Sequence, residues 1–311
     1  MIKAPPTPKG FKDFAPALAK RRREVTSKIV QVLEEFEFVP IETPTIEFAD
    51  TLKGKYGEEE RLIYEFEDRG GRKLALRYDL TVPLARYVAT YNPPLPFRRY
   101  QIGQVFRGEN PQKGRFREFT QLDFDSVGSD DPKEDATIIA ATIKSLEVLG
   151  IKFFKVLIND RNIFYNLPKD PMFADKDIPS VVRIVDKLKK IGRDGVTDEL
   201  AEKVTGGDIS EAASILCTIE DSPPTDNLNA IFSALEDLGI DKQKYEFSPT
   251  LARGLDYYTG MIIEAEIEGY AGGSVGGGGR YDNLIGSFAK KDIPAVGFSF
   301  GLDRLLEILY P

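Results

Sequence analysis

Apolar residues recur at helical spacing soon after the start of the chain. They fall at Leu18, Val25, Ile29, Val32, Leu33 and Phe36. This periodicity predicts an amphipathic helix, with Asp13 as its cap and Pro16 in its first turn. Four adjacent cations at residues 20–23 are typical of a helix face that is exposed to solvent. The alternative interpretation is a contact with nucleic acid.

Two strand-like stretches flank a turn-rich segment further along the chain. FRRYQIGQVFR (97–107) and REFTQLDFDSV (117–127) surround a loop that contains Gly, Pro and Asn, and together they predict a long hairpin. A periodic helix follows over residues 133–149. Before the hairpin, residues 40–48 and 74–88 indicate further strands and a helix joined by Pro-containing turns.

Residues 165–245 differ in character from the segments on either side. They contain short helical patterns separated by Gly, Pro and Asp, and they carry 16 acidic against 10 basic residues. We interpret them as a helical insertion subdomain between residues 1–164 and residues 246–311. A continuation of one common core fits the same pattern and stays open as the alternative.

Strand patterns return after the insertion. SPTLARGLDYYTG (248–260) and MIIEAEIEGY (261–270) have the composition of strands, and AVGFSFGLDRLLEIL (295–309) predicts a buried strand that becomes a helix near Gly301. Hairpins and strands that bracket a helical insertion, without strict βαβ alternation, predict an α+β fold. We therefore expect a mixed, mainly antiparallel sheet that is flanked by helices.

The composition restricts the chemistry that this sequence can carry. Its 311 residues include no histidine and one cysteine (Cys217), and 42 Lys and Arg against 50 Asp and Glu give a net charge of −8. These counts exclude catalytic dyads that need histidine, His-ligated zinc, Cys-cluster metal sites and a disulfide framework. With no apolar leader and no long apolar run, we expect a cytoplasmic protein without a membrane span. Catalysis would depend on Arg, Lys, carboxylates, Tyr, backbone amides and bound ions.

Alternation along the hairpin places several polar side chains on one face of the predicted sheet. Arg107, Phe119, Gln121 and Asp125 share this face. A solvent-facing strand surface is one explanation. The mixture of arginine, aromatic ring, carboxylate and amide favours another, a ligand with a flat base and several phosphates, because the guanidinium fork binds phosphate oxygens in pairs.

Three further segments combine glycine with arginine. Arg253 precedes a glycine in RGLDYYTG, six glycines lie within residues 272–279, and Arg304 lies in the first turn of the last predicted helix. The simplest explanations are packing of the tyrosines in the first segment, a flexible surface loop in the second and an exposed cation in the third. The alternative is that glycines let the backbone approach a ligand and that arginines bind its anionic groups. None of these segments matches G-x-G-x-x-G or the Walker A pattern.

Together these segments resemble the histidyl-tRNA synthetases, a family of class II aminoacyl-tRNA synthetases, over about residues 8–309. TPKGFKDF and VPIETPTIEF resemble the opening segment and motif 1, with Pro44 as the motif 1 proline, FRGENPQKGRFREFTQLDFD resembles motif 2, and AVGFSFGLDRLL resembles motif 3. LARGLDYYTG and GGRYDNLIG are the most specific, since they resemble two segments peculiar to the histidyl enzymes. The resemblance implies a class II synthetase-like sheet and a homodimer. Because full-length members continue into an anticodon-binding domain, we expect a catalytic core alone.

The resemblance also implies a two-step reaction that requires ATP and Mg²⁺. Histidine and ATP would give histidyl-adenylate and pyrophosphate, and the histidyl group would then pass to the acceptor end of tRNA(His). By matching positions, ATP would be bound by Arg107, Glu109, Arg115, Phe119 and Arg304. Histidine would be bound by Asp79, Thr81, Gln121, Asp125, Arg253, Tyr258 and Tyr281. Arg107 and Arg253 would act catalytically at the α-phosphate, Arg253 where related synthetases use a metal ion, so no metal held by the protein is expected.

Elementary physics agrees with this reading of the sequence. An anionic carboxylate must attack an anionic phosphate, which requires cations and orientation rather than an imidazole base. The main alternative is a non-catalytic paralogue that resembles the regulatory subunit of ATP phosphoribosyltransferase and binds histidine or a partner enzyme. A pure interaction module is a further alternative. The catalytic positions, which match the active pattern at Arg107, Arg253 and Arg304, favour the enzyme over both.

Overall fold

The computed structural model describes residues 5–111, 114–253 and 257–310. The helices are α1 (Pro16–Glu35), α2 (Ala49–Leu52), α3 (Thr81–Tyr91), α4 (Pro132–Val148), α5 (Arg161–Asn166), α6 (Ile178–Val185), α7 (Leu188–Lys203), α8 (Ile209–Glu220), α9 (Asp226–Asp237) and α10 (Leu302–Leu309). The strands are β1 (Val39–Pro40), β2 (Ile46–Phe48), β3 (Glu65–Glu67), β4 (Lys73–Leu76), β5 (Phe97–Phe106), β6 (Glu118–Val127), β7 (Phe154–Asp160), β8 (Tyr245–Phe247), β9 (Met261–Ile267), β10 (Gly276–Arg280) and β11 (Ala295–Gly301). None of the helices in these ranges is both long and apolar enough to cross a membrane.

Most of the strands form one eight-stranded sheet in the order β1-β5-β6-β11-β10-β9-β7-β8. The pairs β1–β5 and β7–β8 are parallel, and the other neighbouring pairs are antiparallel. A small second sheet has the order β2-β4-β3. The predicted α+β class, with a mixed and mainly antiparallel sheet flanked by helices, is therefore confirmed.

The predicted hairpin forms a large part of the eight-stranded sheet. β5 pairs with β6 along ten residues, from Phe97 opposite Val127 to Phe106 opposite Glu118. The helix predicted after it is α4, where the Asp131 side chain accepts a hydrogen bond from a backbone N–H of the first turn. An N-cap carboxylate and a proline at the first helical position explain why the helix starts there.

The start of the chain differs in two details from the sequence prediction. α1 begins at Pro16 as expected, but its N-cap is Ala15 and makes no side-chain capping bond, so the assignment of Asp13 as the cap is wrong. Of the four cations at residues 20–23, three are exposed. Arg22 instead points inward and donates to Asp303, at 3.0 Å, which joins α1 to α10.

The segment 248–260 was predicted as a strand, and this prediction is wrong for its described residues. Residues 248–253 and 257–260 form no strand, while residues 254–256 lie outside the described part of the chain. The Asn159 side chain explains the irregular course, because its Nδ2 atom donates to the carbonyl oxygens of Pro249 and Leu251. A segment held through its carbonyl groups by a side chain does not need a strand neighbour to satisfy them.

The glycine-rich segment is a buried strand over much of its length, so the surface-loop explanation is wrong for those residues. Gly276–Arg280 forms β10 between β9 and β11. Neighbouring backbone leaves no room for side chains, since a Cβ atom on Gly278 would lie 2.0 Å from the carbonyl oxygen of Gly297. The glycines allow a close approach, and here the approaching groups belong to the protein itself.

The helices divide between three hydrophobic clusters. α1, α4, α9 and α10 share one cluster with side chains of the large sheet. A second cluster includes residues of α2 and α3 together with Tyr258 and Tyr281. α6, α7 and α8 form a third cluster around residues such as Val185 and Leu216. The predicted insertion at 165–245 stays a prediction, and this packing favours an insertion that ends before α9, because α9 packs on α4.

Candidate active site

One cavity of about 320 Å³ opens on the large sheet, on the face opposite α4. Gln121, Asp123 and Asp125 of β6 line it, whereas the alternating residues Leu122 and Phe124 belong to the cluster that contains α4. All residues that the sequence predicted for ATP and histidine binding also line it. They are Asp79, Thr81, Arg107, Glu109, Arg115, Phe119, Gln121, Asp125, Arg253, Tyr258, Tyr281 and Arg304.

Arg107 lies directly after β5 and is held between aromatic rings. Its Nε atom donates to the carbonyl oxygen of Tyr78 at 3.2 Å, and its guanidinium carbon lies 4.3 Å from the Tyr78 ring centre and 5.1 Å from that of Phe119. Burial disfavours the charged form of Arg107, but electrostatic attraction to Tyr78, Glu59 and Asp79 outweighs this effect and raises the pKa of Arg107. The group is therefore a fixed and fully charged cation within the cavity.

Arg304 occupies the first turn of α10, as the sequence predicted, and is held by backbone carbonyls. Its Nε atom donates to Gly114 at 3.2 Å and its Nη1 atom to Ser274 at 2.6 Å. Burial lowers the pKa of Arg304, and the like charges of Arg115 and Arg107 lower it further. Cations that repel one another across a cavity indicate a place where an anion binds.

Glu109 and Arg115 pair with each other in this structure. Arg115 Nη1 lies 3.3 Å from Glu109 Oε2, and the Arg115 side chain is about half exposed. The carbonyl oxygen of Glu109 also accepts from Arg117 at 2.9 Å. An exposed ion pair of this kind is worth little, about 0–1 kcal/mol, so either side chain can leave its partner for a ligand at small cost.

Arg253 crosses directly over the glycine-rich strand. A Cβ atom on Gly277 would lie 1.7 Å from Arg253 Nη1, so only glycine at this position leaves the guanidinium where it is. Nη1 is 3.4 Å from Glu264 on β9, and the buried Nε atom has no hydrogen-bond partner among the described residues. Burial opposes the charge, but Tyr258 and Glu264 outweigh it and raise the pKa of Arg253.

Asp79 lies two residues before the start of α3, and Thr81 is the first residue of that helix. Asp79 Oδ1 accepts from the hydroxyl of Tyr56 and from the backbone N–H of Val82, both at 3.0 Å. Its Oδ2 atom is buried and has no donor in the described part of the chain. Burial raises the pKa of this carboxyl group. One oxygen is thus used for positioning and the other is left for a ligand.

Gln121 and Asp123 continue the polar row on β6. Gln121 Nε2 donates to the Ser299 hydroxyl at 2.8 Å, which leaves its Oε1 atom buried and without a donor among the described residues. The Ser299 hydroxyl hydrogen-bonds the Asp123 carboxyl group, whose Oδ1 atom also has no donor there. Burial raises the pKa of Asp123 to about 7.

Asp125 sits at the most enclosed end of the row. It accepts a hydrogen bond from the Tyr281 hydroxyl and pairs with Arg99, whose Nη2 atom lies 2.7 Å from Asp125 Oδ2. Arg99 is fully buried, and burial raises the pKa of Asp125 despite this partner. The buried ring of Tyr258 closes the same region. Fixed acceptors and hydroxyls here suit a small ligand that carries N–H groups.

Several lining residues were not predicted from the sequence. They are Glu59, Asp123, Tyr257, Glu264 and Ser299. Arg99, which pairs with Asp125 and does not line the cavity, was not predicted either. Alternation along β6 was the signal available for Asp123, since it lies between Gln121 and Asp125 on one strand face. Glu264 and Ser299 reach the cavity through pairing between distant strands, such as Ser299 opposite Asp123, whereas Glu59 and Tyr257 lie outside the strands.

Charge divides this cavity into two halves. Arg107, Arg115 and Arg304 form a cationic half, and Asp79, Asp123 and Asp125 form an acidic half. Arg253 lies over Gly277 of the glycine-rich strand. Within residues 5–111, 114–253 and 257–310, no group of His, Cys, Asp and Glu side chains is placed to hold a metal ion. The arrangement can bind a polyanion and a small cationic molecule next to each other.

A mainly antiparallel sheet that presents arginines from a hairpin and from the last helix has the architecture expected of a class II aminoacyl-tRNA synthetase. Comparison with known proteins agrees. The family model for histidyl-tRNA synthetase matches residues 10–305. The histidine–tRNA ligase of Aeropyrum pernix is 42% identical, over 97% of this chain and 74% of the relative. The chain belongs to the histidyl-tRNA synthetase family.

Solved structures support the fold. The crystal structure of histidyl-tRNA synthetase from Nostoc sp. PCC 7120 matches with a TM-score of 0.85 and 30% identity, over 99% of this chain and 76% of that one. A structure from Bacillus halodurans described as an ATP phosphoribosyltransferase regulatory subunit/histidyl-tRNA synthetase has a TM-score of 0.81 at 23% identity, over 100% of this chain and 85% of that one. At that identity the second likeness concerns the fold alone.

Proposed function

We propose that this chain is the catalytic core of a histidine–tRNA ligase. It activates histidine with ATP to give histidyl-adenylate and pyrophosphate, and it then transfers the histidyl group to the acceptor end of tRNA(His). The observation that carries the proposal is one cavity lined by both a cationic half and an acidic half, in which Arg107 and Asp79 lie close enough to affect each other's pKa. A triphosphate and an amino acid need that pair of environments side by side.

ATP occupies the cationic half in this proposal. Arg107 binds the α-phosphate, and Arg115 leaves Glu109 to bind the outer phosphates. Glu109 then accepts a hydrogen bond from the adenine amino group, while the adenine ring lies between Phe119 and Arg304. Mg²⁺ would be bound by oxygens of the triphosphate and would offset part of its negative charge.

Histidine occupies the acidic half. Asp79 Oδ2, the buried acceptor without a donor, receives a hydrogen bond from the α-ammonium group, with Thr81 beside it. Asp125, Tyr258 and Tyr281 surround the imidazole. A site that satisfies both ring nitrogens rejects amino acids without them by large factors, on the order of 10⁴.

The first step joins two anions. A carboxylate oxygen of histidine attacks the α-phosphorus, the new P–O bond forms, and the bond to the pyrophosphate oxygen breaks as pyrophosphate leaves. The barrier comes from charge repulsion and alignment. Arg107 and Arg253 neutralise the α-phosphate from within the cavity, and no proton needs to be moved. A protein without histidine can therefore perform this step.

The second step needs a proton acceptor for the terminal ribose hydroxyl of the tRNA. In our proposal a phosphate oxygen of the adenylate takes this proton as the hydroxyl oxygen attacks the histidyl carbonyl and AMP leaves. A role in protein synthesis would place the chain in the cytoplasm.

Pyrophosphate exchange into ATP tests the proposal directly. We expect exchange to depend on Mg²⁺ and on histidine, with the other amino acids close to background. Charging of tRNA(His) transcript and of an acceptor-stem mimic tests the second step. If no amino acid supports exchange in the folded protein, the regulatory alternative replaces the enzyme. The cavity favours the enzyme, because a protein that only senses histidine has no use for Arg107, Arg115 and Arg304 around an anion site.

A homodimer through motif 1 is part of the proposal. Val39, Ile46, Phe48 and Phe66 are exposed apolar residues on β1, β2 and β3. Exposed apolar groups at short strands are typical of surfaces that a second protein chain covers. We expect Phe48→Glu to shift the protein from dimer to monomer in analytical ultracentrifugation, whereas Phe153→Glu, at an exposed residue outside these strands, leaves the dimer intact. An unchanged dimer in the Phe48 variant would move the interface elsewhere.

A further inference from the structure

Three oxygen atoms in the acidic half of the cavity have neither a hydrogen-bond donor nor an ion-pair partner among the described residues, whereas Asp125 Oδ2, which also lacks a hydrogen bond, is paired with Arg99. The three atoms are Asp79 Oδ2, Gln121 Oε1 and Asp123 Oδ1. Their side chains are at least nine-tenths buried, with relative exposures of 3%, 8% and 2%, and all three line the same cavity. Buried acceptors normally have a donor, so three of them together indicate a ligand that supplies several donors.

We propose that Asp123 is a further substrate-binding residue, which accepts a hydrogen bond from the α-ammonium group of histidine together with Asp79 and Gln121. A protonated primary amine has three N–H donors and no acceptor. Three acceptor oxygens without donors therefore match it in number and in charge. The inference rests on the proposed function, because it takes histidine as the occupant of this half of the cavity.

The sheet fixes the direction of the Asp123 side chain. Asp123 lies opposite Gln101 on β5 and opposite Ser299 on β11, in the interior of the sheet. Its neighbours Leu122 and Phe124 are fully buried in the core on the other face. A slip of one residue would exchange the two faces of the strand, so the carboxyl group cannot turn away from the cavity.

The charges around Asp123 also favour the binding of a cation next to its carboxyl group. Asp123 is surrounded by the carboxyl groups of Asp79 and Asp125, and Arg99 is the cation that opposes them, although it is already paired with Asp125. Burial, with Asp125 and Asp79, raises the pKa of Asp123 to about 7 against the effect of Arg99. An ammonium group bound between Asp79 and Asp123 offsets the repulsion between these two carboxylates.

A metal ion does not fit the same atoms as well. The described residues contain no cluster of three or more His, Cys, Asp and Glu side chains with a suitable arrangement. Gln121 contributes a neutral oxygen whose amide nitrogen is already held by Ser299. An N–H donor needs only single, separate acceptors, and these are what the three side chains provide.

Calorimetric titration of the whole chain with three ligands tests the role of Asp123. Histidine carries the ammonium and the carboxylate, histamine keeps only the ammonium, and 3-(imidazol-4-yl)propanoate keeps only the carboxylate. We expect Asp123→Asn to weaken histidine and histamine by about 10- to 100-fold, since one charge-assisted hydrogen bond is lost. The propanoate, which has no ammonium group, should stay within about twofold of its affinity for the unmodified protein.

Two control variants separate this role from general damage to the site. Asp125→Asn should weaken all three ligands, because each contains the imidazole. Glu118→Gln, on the same strand but outside the cavity, should weaken none. Equal losses of all three ligands in Asp123→Asn, or no loss of histidine, would overturn the inference. A failure of the unmodified protein to bind histidine at all would instead count against the proposed function.

Discussion

The two halves of the cavity carry opposite charges and are built in different ways. In the cationic half, Arg107 and Arg304 are held by carbonyl oxygens of neighbouring segments, and Arg115 is about half exposed. In the acidic half, Asp123 and Asp125 stand on the interior strand β6 and are almost completely buried. One half is a set of long side chains near solvent, and the other is a fixed row on a sheet.

This difference matches what each half must recognise. Arg115, whose ion pair with Glu109 is exposed, can exchange partners at small cost when a triphosphate binds, whereas Arg107 and Arg304 hold their places beside it. Buried carboxyl groups on a sheet cannot move far, which gives them selectivity for one small molecule but makes them costly while the site is empty. Arg253 stands apart from both halves as defined, since its neighbour is Glu264 on β9 and it is proposed to contact both the α-phosphate and histidine.

Removal of Arg253 should have the largest effect, because it is proposed to contact both reactants. We expect Arg253→Ala to lower histidine-dependent pyrophosphate exchange by about 100- to 1000-fold, the usual loss when one preorganised charge is removed from a transition state. Arg253→Lys should restore part of the rate if charge alone suffices, and little if the forked geometry is needed. Thermal unfolding of both variants should show a folded protein, and undiminished exchange would remove Arg253 from its proposed role.

Two neighbouring glycines allow the position of Arg253 to be tested without changing it. A Cβ atom on Gly277 would collide with the Arg253 guanidinium, which is the movable end of a side chain, whereas one on Gly278 would collide with the backbone of Gly297. We expect Gly277→Ala to reduce exchange by about 10- to 100-fold while the melting temperature changes little.

Gly278→Ala is the matched control for Gly277→Ala. It should lower the melting temperature strongly, because its Cβ atom would lie 2.0 Å from the Gly297 carbonyl oxygen and β10 and β11 would have to separate. If Gly277→Ala also unfolds the protein, or leaves exchange unchanged, the proposed dependence of Arg253 on this glycine is wrong.

The sequence alone predicted the positions of the hairpin and the last helix, because these depend on local periodicity. Alternation along β6 placed Gln121 and Asp125 on one face, and the strand-to-helix change near Gly301 placed Arg304 in a first turn, as observed. Cavity-lining residues on such elements could therefore be named in advance, and the family resemblance supplied the roles proposed for them.

What could not be predicted depends on contacts between distant segments. The glycines of β10 have a weak preference for strands, and they form one because β9 and β11 pair with them on both sides. Asp123 was visible on the polar face of β6, but the sequence does not say that Ser299 and Arg99 enclose it. Whether a polar strand face is exposed to solvent or buried depends on the segments that pack against it.

The smallest expected effect concerns the stability of the empty acidic half. Burial raises the pKa of Asp123 to about 7, so between roughly pH 4 and 7 the folded protein holds a proton that the unfolded chain has released. Stability from this group therefore falls as the pH rises through that range and stays reduced above it. Since the chain has no histidine, imidazole groups of the protein do not titrate in the same range.

Asp123→Asn removes this penalty, about 4 kcal/mol for three pKa units, but it weakens the hydrogen bond from Ser299, worth about 1.5–3 kcal/mol. The variant without substrate should therefore be more stable than the unmodified protein at pH 8 by about 1–2 kcal/mol, a rise in melting temperature of roughly 2–4 °C. The gain should shrink as the pH falls toward 4, where Asp123 is protonated in both states. Saturating histidine should make the unmodified protein the more stable of the two at pH 8, because the ammonium group of histidine interacts more strongly with the Asp123 carboxylate than with an asparagine amide. A variant that is less stable than the unmodified protein at pH 8 without histidine would show that Asp123 already has a partner in the empty site.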